Sequence, residues 1–228
     1  MNKEIKENLV DKAYNALKKM IIIQEIKPGE YLNEKLLMSE LNIGRTPLRQ
    51  AILLLKNDNF VEGQPNKSPY VKEFSLGEAK ELFETLMIIE KNITFLATLR
   101  ITQRELEKIK KTQRSIDRAI HDKLFWKITD HNLEFHRLIA EASGNRFLRK
   151  VHQDIRLQAE RLSYVAVKGE SINNPAIDDH NQKISEQHQN IINCLENHDT
   201  KRIENIAIDH VKLFRDRIFN SLKDLSHL

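Results

Sequence analysis

The sequence predicts a mainly α protein in two parts: an N-terminal winged helix-turn-helix over residues 1–75 and a C-terminal all-α antiparallel helical bundle over 76–228. Three observations carry this. Apolar residues recur every three or four positions along most of the chain, the spacing that turns one face of a helix into a core. Six glycines among 228 residues are few for a large β protein, which needs many tight turns. The one stretch with strand character, Phe60 to Lys72, is short and follows directly on three helical segments.

The first helix is marked by Val10, Ala13, Tyr14, Leu17, Met20 and Ile21 at helical spacing. Lys27-Pro28-Gly29-Glu30 ends it, since proline cannot continue a helix and glycine readily turns the chain. A second short helix runs from about Asn33 to Leu41, with Asn33 as N-cap and Leu36, Leu37 and Leu41 inward. Asn42-Ile43-Gly44 makes a tight turn. A third helix begins near Arg45, where Pro47 is tolerated because first-turn amides lack intrahelical acceptors. Its buried stripe is Leu48, Ala51, Ile52 and Leu55. Phe60-Val61-Glu62 and Tyr70-Val71-Lys72, joined by a loop from Gly63 to Ser68, read as a β-hairpin. Beyond Ser75, segments near 76–99, 102–120, 123–142, 145–167, 181–197 and 200–222 are helical, with breaks at Ser143-Gly144-Asn145 and from Ser171 to Pro175. Six such helices with short connections form a bundle.

Composition excludes several classes. Hydrophobic residues make up 40% and charged residues 31%, so the chain is neither a disordered polymer nor a membrane protein. The longest apolar runs, Met20 to Ile23 and Ile52 to Leu55, fall far short of the ~20 residues that span a bilayer. The opening Met-Asn-Lys-Glu-Ile-Lys-Glu has no apolar core for a signal peptide. Cys194 is the only cysteine, which rules out a disulfide framework and fits a reduced, cytoplasmic protein. Charge is balanced, with 12 Lys/Arg against 10 Asp/Glu up to Ser75 and 25 against 23 beyond. Between Leu41 and Asn57, however, Arg45, Arg49 and Lys56 occur without an acid, a surface a polyanion could approach.

In a winged helix-turn-helix the second helix of the pair enters the DNA major groove with its N-terminal residues leading. Arg45, Thr46, Arg49 and Gln50 lie opposite the Leu48/Ile52/Leu55 stripe, with the two arginines one turn apart. Arginine can pair guanine O6 and N7 in a bidentate fork, and Thr46 with the first helical amides suits a phosphate oxygen. Lys67 in the hairpin loop can reach the backbone or the minor groove. An isolated pair of arginines would be ordinary solvated charge; the helix order, turn and hairpin around this pair favour DNA. Lys27-Pro28-Gly29-Glu30-Tyr31-Leu32-Asn33-Glu34 and Gly44-Arg45-Thr46-Pro47-Leu48-Arg49-Gln50-Ala51 resemble the GntR family of bacterial transcription regulators. The resemblance implies a homodimer that reads a short palindromic operator in double-stranded DNA. Gly44 stands where the family has a serine cap, and Ser68-Pro69 where it has a glycine at the wing tip.

The C-terminal part places histidines on apolar stripes. Asn132 and His136 fall among Phe125, Ile128, Phe135 and Ile139; His188 lies among Ile184, Ile191, Ile192 and Leu195; His210 lies among Ile203, Ile206, Ala207, Leu213 and Phe214. A buried imidazole needs a hydrogen bond, a water or a metal. Three neutral imidazoles from three helices suit Zn²⁺, Ni²⁺, Mn²⁺ or a similar divalent ion with open positions. Periodicity alone leaves the set open, since His152 also sits on a stripe and His131 borders another. His121, His180, His198 and His227 lie near helix ends or in the tail.

Asn132-Leu133-Glu134-Phe135-His136 with Glu141-Ala142-Ser143-Gly144-Asn145, then Glu186-Gln187-His188-Gln189-Asn190-Ile191 and Ile206-Ala207-Ile208-Asp209-His210, are similar to the FCD effector domain of FadR-type GntR regulators. That resemblance implies His136, His188 and His210 as ligands of a divalent metal beneath a pocket for a small effector of the organic- or sugar-acid class. Asn132 takes the family's carboxylate position as a weaker, neutral ligand, and Leu86 stands where the family often has an effector-facing arginine, four residues before Glu90. A metal-dependent all-α enzyme carrying an accessory helix-turn-helix is the alternative, because a His₃ ion can generate hydroxide. No acid is spaced as a general base beside the histidines, and Cys194 reads as core filler. The sequence therefore points to a ligand-responsive transcription regulator without enzymatic activity.

Overall fold

Asn8 opens the first helix: its side-chain oxygen accepts from the Val10 amide, satisfying one of the donors that a helix start leaves unpaired. The computed structural model describes residues 8–64, 67–167 and 175–225, and divides into two compact units, one up to Ser75 and one from Leu76. In the first, α1 (Leu9–Ile22) buries Ala13, Leu17, Ile21 and Ile22. After it come α2 (Glu34–Leu41), capped by Asn33, and α3 (Arg45–Asn57), which buries Leu48, Ala51, Ile52 and Leu55 against α1. Asn42, at φ 51°, makes the left-handed turn between α2 and α3, a conformation asparagine tolerates better than most residues.

Strands β1 (Val61–Glu62) and β2 (Tyr70–Val71) pair antiparallel, Val61 opposite Val71 and Glu62 opposite Tyr70. The Pro28 to Leu32 segment lies along the other edge of β2: Gly29 and Leu32 donate to the Val71 and Pro69 carbonyls, and Val71 donates to Glu30. Gly29 sits at φ +78°, a left-handed conformation that strains any residue with a side chain. Sequence reasoning took this segment for a simple helix breaker; it also extends the hairpin.

The second unit comprises α4 (Leu76–Arg100), α5 (Gln103–His121), α6 (Phe125–Ala142), α7 (Arg146–Val167), α8 (Pro175–Glu196) and α9 (Ile203–Leu225). Helix α4 packs against α6, α7, α8 and α9, while α5 lies against α6 and α8. The core runs through Ile93, Ala97, Ile109, Ile116, Phe135, Ile139, Ile191, Leu195 and Ile203, with Cys194 buried among them. Thr102 and Glu105 form a capping box at the start of α5.

Two expectations need correction. Leu36 is 53% exposed and Leu37 alone of α2 is fully buried, because an eight-residue helix packed mainly on α3 has room for one inward leucine. The break from Ser171 to Pro175 lies outside the described residues as far as 174, and α8 starts at Pro175, six residues before the expected start at 181. Proline suits a first helical position, where its missing N–H has no partner to lose. Replacing Leu37 with Ala should cost ~2–5 kcal/mol of stability through the cavity left behind. Leu36→Ala should change it by less than about 0.5 kcal/mol. Urea unfolding midpoints of the two variants check the contrast.

Candidate functional site

Helix α3 begins with Gly44 in an extended conformation and without a side-chain cap, so its first amides face outward unsatisfied by a side chain of that residue. Arg45, Thr46, Arg49 and Gln50 are all exposed on the face opposite Leu48, Ala51 and Leu55. Lys67 is exposed in the β1–β2 loop, where its amide donates to the Gln64 carbonyl. Sequence reasoning missed one partner. Arg49 Nε lies 2.9 Å from the Glu34 carboxylate, so the stretch that is free of acids in sequence is not free of them in space. Arg49 remains 59% exposed, and a pair this open contributes at most about 1 kcal/mol. Glu34 aligns the guanidinium without burying it.

In the helical unit, His136 on α6, His188 on α8 and His210 on α9 are brought together, each fully buried, with candidate ligand atoms all within 4.8 Å of one another. Two of the three rings have a nitrogen tied outward by a hydrogen bond, and the third lies beside a carboxylate. Gln113 on α5 donates to Asp117 and Ser185, so its oxygen faces His188 Nδ1 at 2.8 Å and must accept from it. His210 Nδ1 lies 3.0 Å from the Gln187 oxygen, and His136 Nδ1 lies 3.2 Å from Glu90 Oε1. With Nδ1 of His188 and of His210 occupied as donors, the Nε2 atoms of those two rings carry lone pairs; His136 Nδ1, although close to Glu90, makes no hydrogen bond. His188 Nε2 is buried without a partner, and the Nε2 atoms of His136 and His210 face each other at 3.2 Å. Either one of these two nitrogens carries the proton and donates to the other, or a cation between them takes both lone pairs. Outer partners that fix the tautomer of inward imidazoles are the usual surroundings of metal-binding histidine. The donor set therefore fits a divalent ion.

Electrostatics agree. Burial, reinforced by Arg156, pushes His136 down to about 4. Burial and the neighbouring imidazoles hold His188 and His210 well below the ordinary range. All three are thus neutral and ready to coordinate near pH 7. Burial works to raise Glu90, yet His136 and His152 hold that carboxyl well below its usual value. Glu160, also buried, is pushed up to about 7.

Asn132, one turn before His136 on α6, donates through Nδ2 to Glu160 Oε1 at 2.5 Å; its own oxygen is buried without a partner. His152, the competing candidate, pairs instead with Glu90 at 3.0 Å, in a second group that shares His136. His198 faces the Thr98 carbonyl at 2.6 Å, His121 is exposed beside Asp122, and His227 lies outside the described residues. Arg156 on α7 reaches Glu90 at 3.2 Å and lines a cavity of about 50 Å³ with Asn132, Glu160, His180 and His210. Leu86 is buried in the core. Glu160, Arg156, Gln113 and Gln187 were not singled out from sequence. The available signal was a polar residue interrupting an apolar stripe, as Gln113 does between Ile109 and Ile116.

Residues 81–213 match the FCD domain, and residues 9–71 match the bacterial regulatory proteins of the gntR family. The HTH-type transcriptional repressor NanR of Enterobacter sp. (strain 638) is 24% identical over 226 residues, covering 90% of this chain and 84% of that protein. An HTH-type transcriptional regulator of Bacillus subtilis, YdhC, is 27% identical over 143 residues, which cover 62% of this chain and 64% of its own length. Among solved structures, E. coli McbR/YncC superposes with a TM-score of 0.81 at 18% identity, covering 93% of this chain and 98% of that one. Lar, which controls the agr system of Listeria monocytogenes, gives 0.62 at 18% identity, with 93% and 97% covered. These likenesses establish the fold. The metalloenzyme alternative finds no support in them. No helix among the described residues is long and apolar enough to cross a membrane.

The depressed histidines set the acid response of the metal-free protein. Well above the ordinary imidazole value of 6.5, the rings are neutral both folded and unfolded. As pH falls below it, the unfolded chain takes up three protons that the buried rings refuse, His136 down to about pH 4, so stability falls. Glu160 acts oppositely, holding a proton up to about pH 7 where the unfolded group loses it near 4.5, but it is one group against three. Denaturant midpoints of chelator-treated protein should therefore fall from pH 6.5 to 4.5. A midpoint that rises on acidification contradicts the neutral buried triad.

Proposed function

The chain belongs to the GntR family of bacterial regulatory proteins, with an FCD domain as its helical unit, and from that premise we propose that it binds operator DNA through α3 and senses a small anion over a divalent metal. The observation that carries this reading is the exposed face of α3, where Arg45, Thr46, Arg49 and Gln50 project from the first two turns of a helix anchored by Leu48, Ala51 and Leu55. Arg45 and Arg49 are the base-reading pair, Thr46 and the uncapped amides of α3 the phosphate contacts, and Lys67 the wing contact. Operator binding places the protein in the cytoplasm.

The protein acts as a homodimer, which sets two recognition helices in successive major grooves about 34–36 Å apart. Ile88 and Leu99 on α4 and Phe147 and Val151 on α7, apolar and exposed in the isolated chain, support a partner surface. His136, His188 and His210 hold the ion, with Asn132 through its amide oxygen as the fourth, weaker ligand. Zn²⁺, Ni²⁺ and Mn²⁺ are the candidate ions, and when bound the ion supplies a positive centre with positions open to a carboxylate. Arg156, lining the same cavity, serves the anion in the role that Leu86 cannot fill. Effector binding shifts the dimer between arrangements that do and do not match the operator, by no more than its differential affinity for them.

Selection of binding sites from a random duplex library, followed by anisotropy titration, tests the DNA reading. The parent protein should select a short palindrome, with log affinity falling against log salt by ~0.9 per phosphate contact. Arg49→Ala should relax one base position and cost ~1–3 kcal/mol of discrimination. Unchanged selectivity in that variant, or a flat salt response, overturns the assignment.

A further inference from the structure

The reading of His136, His188 and His210 as metal ligands leaves Asn132 with a chemical problem, because an amide presents two ends and only one can ligate. An NH₂ turned toward the imidazole nitrogens would block a cation; an oxygen would help hold it. The structure assigns the flip. Asn132 Nδ2 donates to Glu160 Oε1 at 2.5 Å, an oxygen that accepts either as a carboxylate or as the carbonyl of the protonated acid. The oxygen is left over, buried and without a partner. Asn132 stands one turn before His136 on α6, and both Asn132 and Glu160 line the cavity that His210 reaches from α9.

Glu160 is itself buried beside a cation. It lies on α7, 2% exposed, with Arg156 Nε at 3.6 Å one turn earlier on the same helix, and Arg156 in turn reaches Glu90 at 3.2 Å. Glu90 is the carboxylate beside His136 Nδ1 at 3.2 Å. Arg156 thus ties together two buried carboxylates, each of which touches a different candidate ligand. Glu160 is buried and within ion-pair range of Arg156, without a hydrogen bond from its Nε.

We propose that Glu160 is the positioning residue of the metal centre: it turns the Asn132 oxygen toward the three imidazoles and places on α7 the acidic group that the ligand position on α6 lacks. Asn132 and Glu160 together act as a divided carboxylate, one residue supplying the ligand oxygen and the other the acid. The inference rests on the metal reading above and is independent of the DNA reading. It makes a specific claim about coupling. If the acid belongs to the pair, moving it from one member to the other should be tolerated, whereas deleting it should not.

The test is a two-residue cycle in the full chain, read by competition of Zn²⁺ and Ni²⁺ against a chromophoric chelator, with thermal midpoints of the metal-free proteins as the control for folding. Glu160→Leu should weaken binding by ~10–100-fold, the usual effect of losing a group that orients a ligand. Glu160→Gln, which keeps an acceptor oxygen but removes the acid, should fall between Glu160→Leu and the parent. On the N132D background the same E160Q exchange should leave affinity unchanged or raise it, because the swapped pair restores the hydrogen bond with the acid on α6. If the parent binds tightly and both Glu160 variants match it within twofold, Glu160 has no part in the site and the inference fails alone. Equal weakening by E160Q on both backgrounds also overturns it, since that is the signature of a general structural role. If the parent binds neither ion, the metal reading fails and takes this inference with it.

Discussion

Placing three imidazoles in one apolar bundle imposes a condition that the rest of the helical unit must meet. Each ring brings two nitrogens into a region without water, and an unmet polar atom there costs ~1–3 kcal/mol. Gln113 on α5 and Gln187 on α8 accept from the outer nitrogens of His188 and His210, while the Glu90 carboxylate on α4 lies 3.2 Å from that of His136 without a hydrogen bond. The inner nitrogens have only each other, with His136 and His210 Nε2 at 3.2 Å and His188 Nε2 alone. Such a core is incomplete as protein and complete around a cation. Desolvation then favours function directly, since it removes the protons that would compete for the same lone pairs.

The winged unit obeys the opposite demand. Its useful groups have to stay wet, and an eight-residue α2 with a left-handed turn at Asn42 is enough to hold α3 with its arginines outward. Burial of Leu48, Ala51, Ile52 and Leu55 fixes the helix, and Glu34 steadies Arg49 at modest cost because the pair is open to solvent. A phosphate or guanine edge can replace that carboxylate, so the ion pair holds the guanidinium in readiness without committing it. One unit withholds water from its site and the other keeps it.

Much of this was legible in the residues. Helical spacing located the helices and narrowed the inward imidazoles to a few candidates, His152 among them, and the motif resemblance singled out His136, His188 and His210. The hairpin and the outward arginines were also local. What could not be read was pairing across the chain. Glu34 meets Arg49 fifteen residues later, Gln113 meets His188 across 75, and Asn132 meets Glu160 across 28. Nothing in the spacing of α7 distinguishes a buried Arg156 and Glu160 from solvated charges. Their burial depends on how α4, α6, α7 and α9 crowd together. Periodicity also misplaced Leu36, since it reports which residues share a face and not how wide the covering neighbour is.

The central claim is that the His136/His188/His210 cluster is a divalent-metal site. The most direct test is the metal content of the purified full chain by mass spectrometry, before and after chelation and reconstitution, for the parent and for His188→Ala. The account predicts close to one Zn²⁺, Ni²⁺ or Mn²⁺ per chain for the reconstituted parent and loss of that ion from the variant, which retains its fold by circular dichroism. A stoichiometric ion held by folded His188→Ala protein, or no ion in the reconstituted parent, would contradict it.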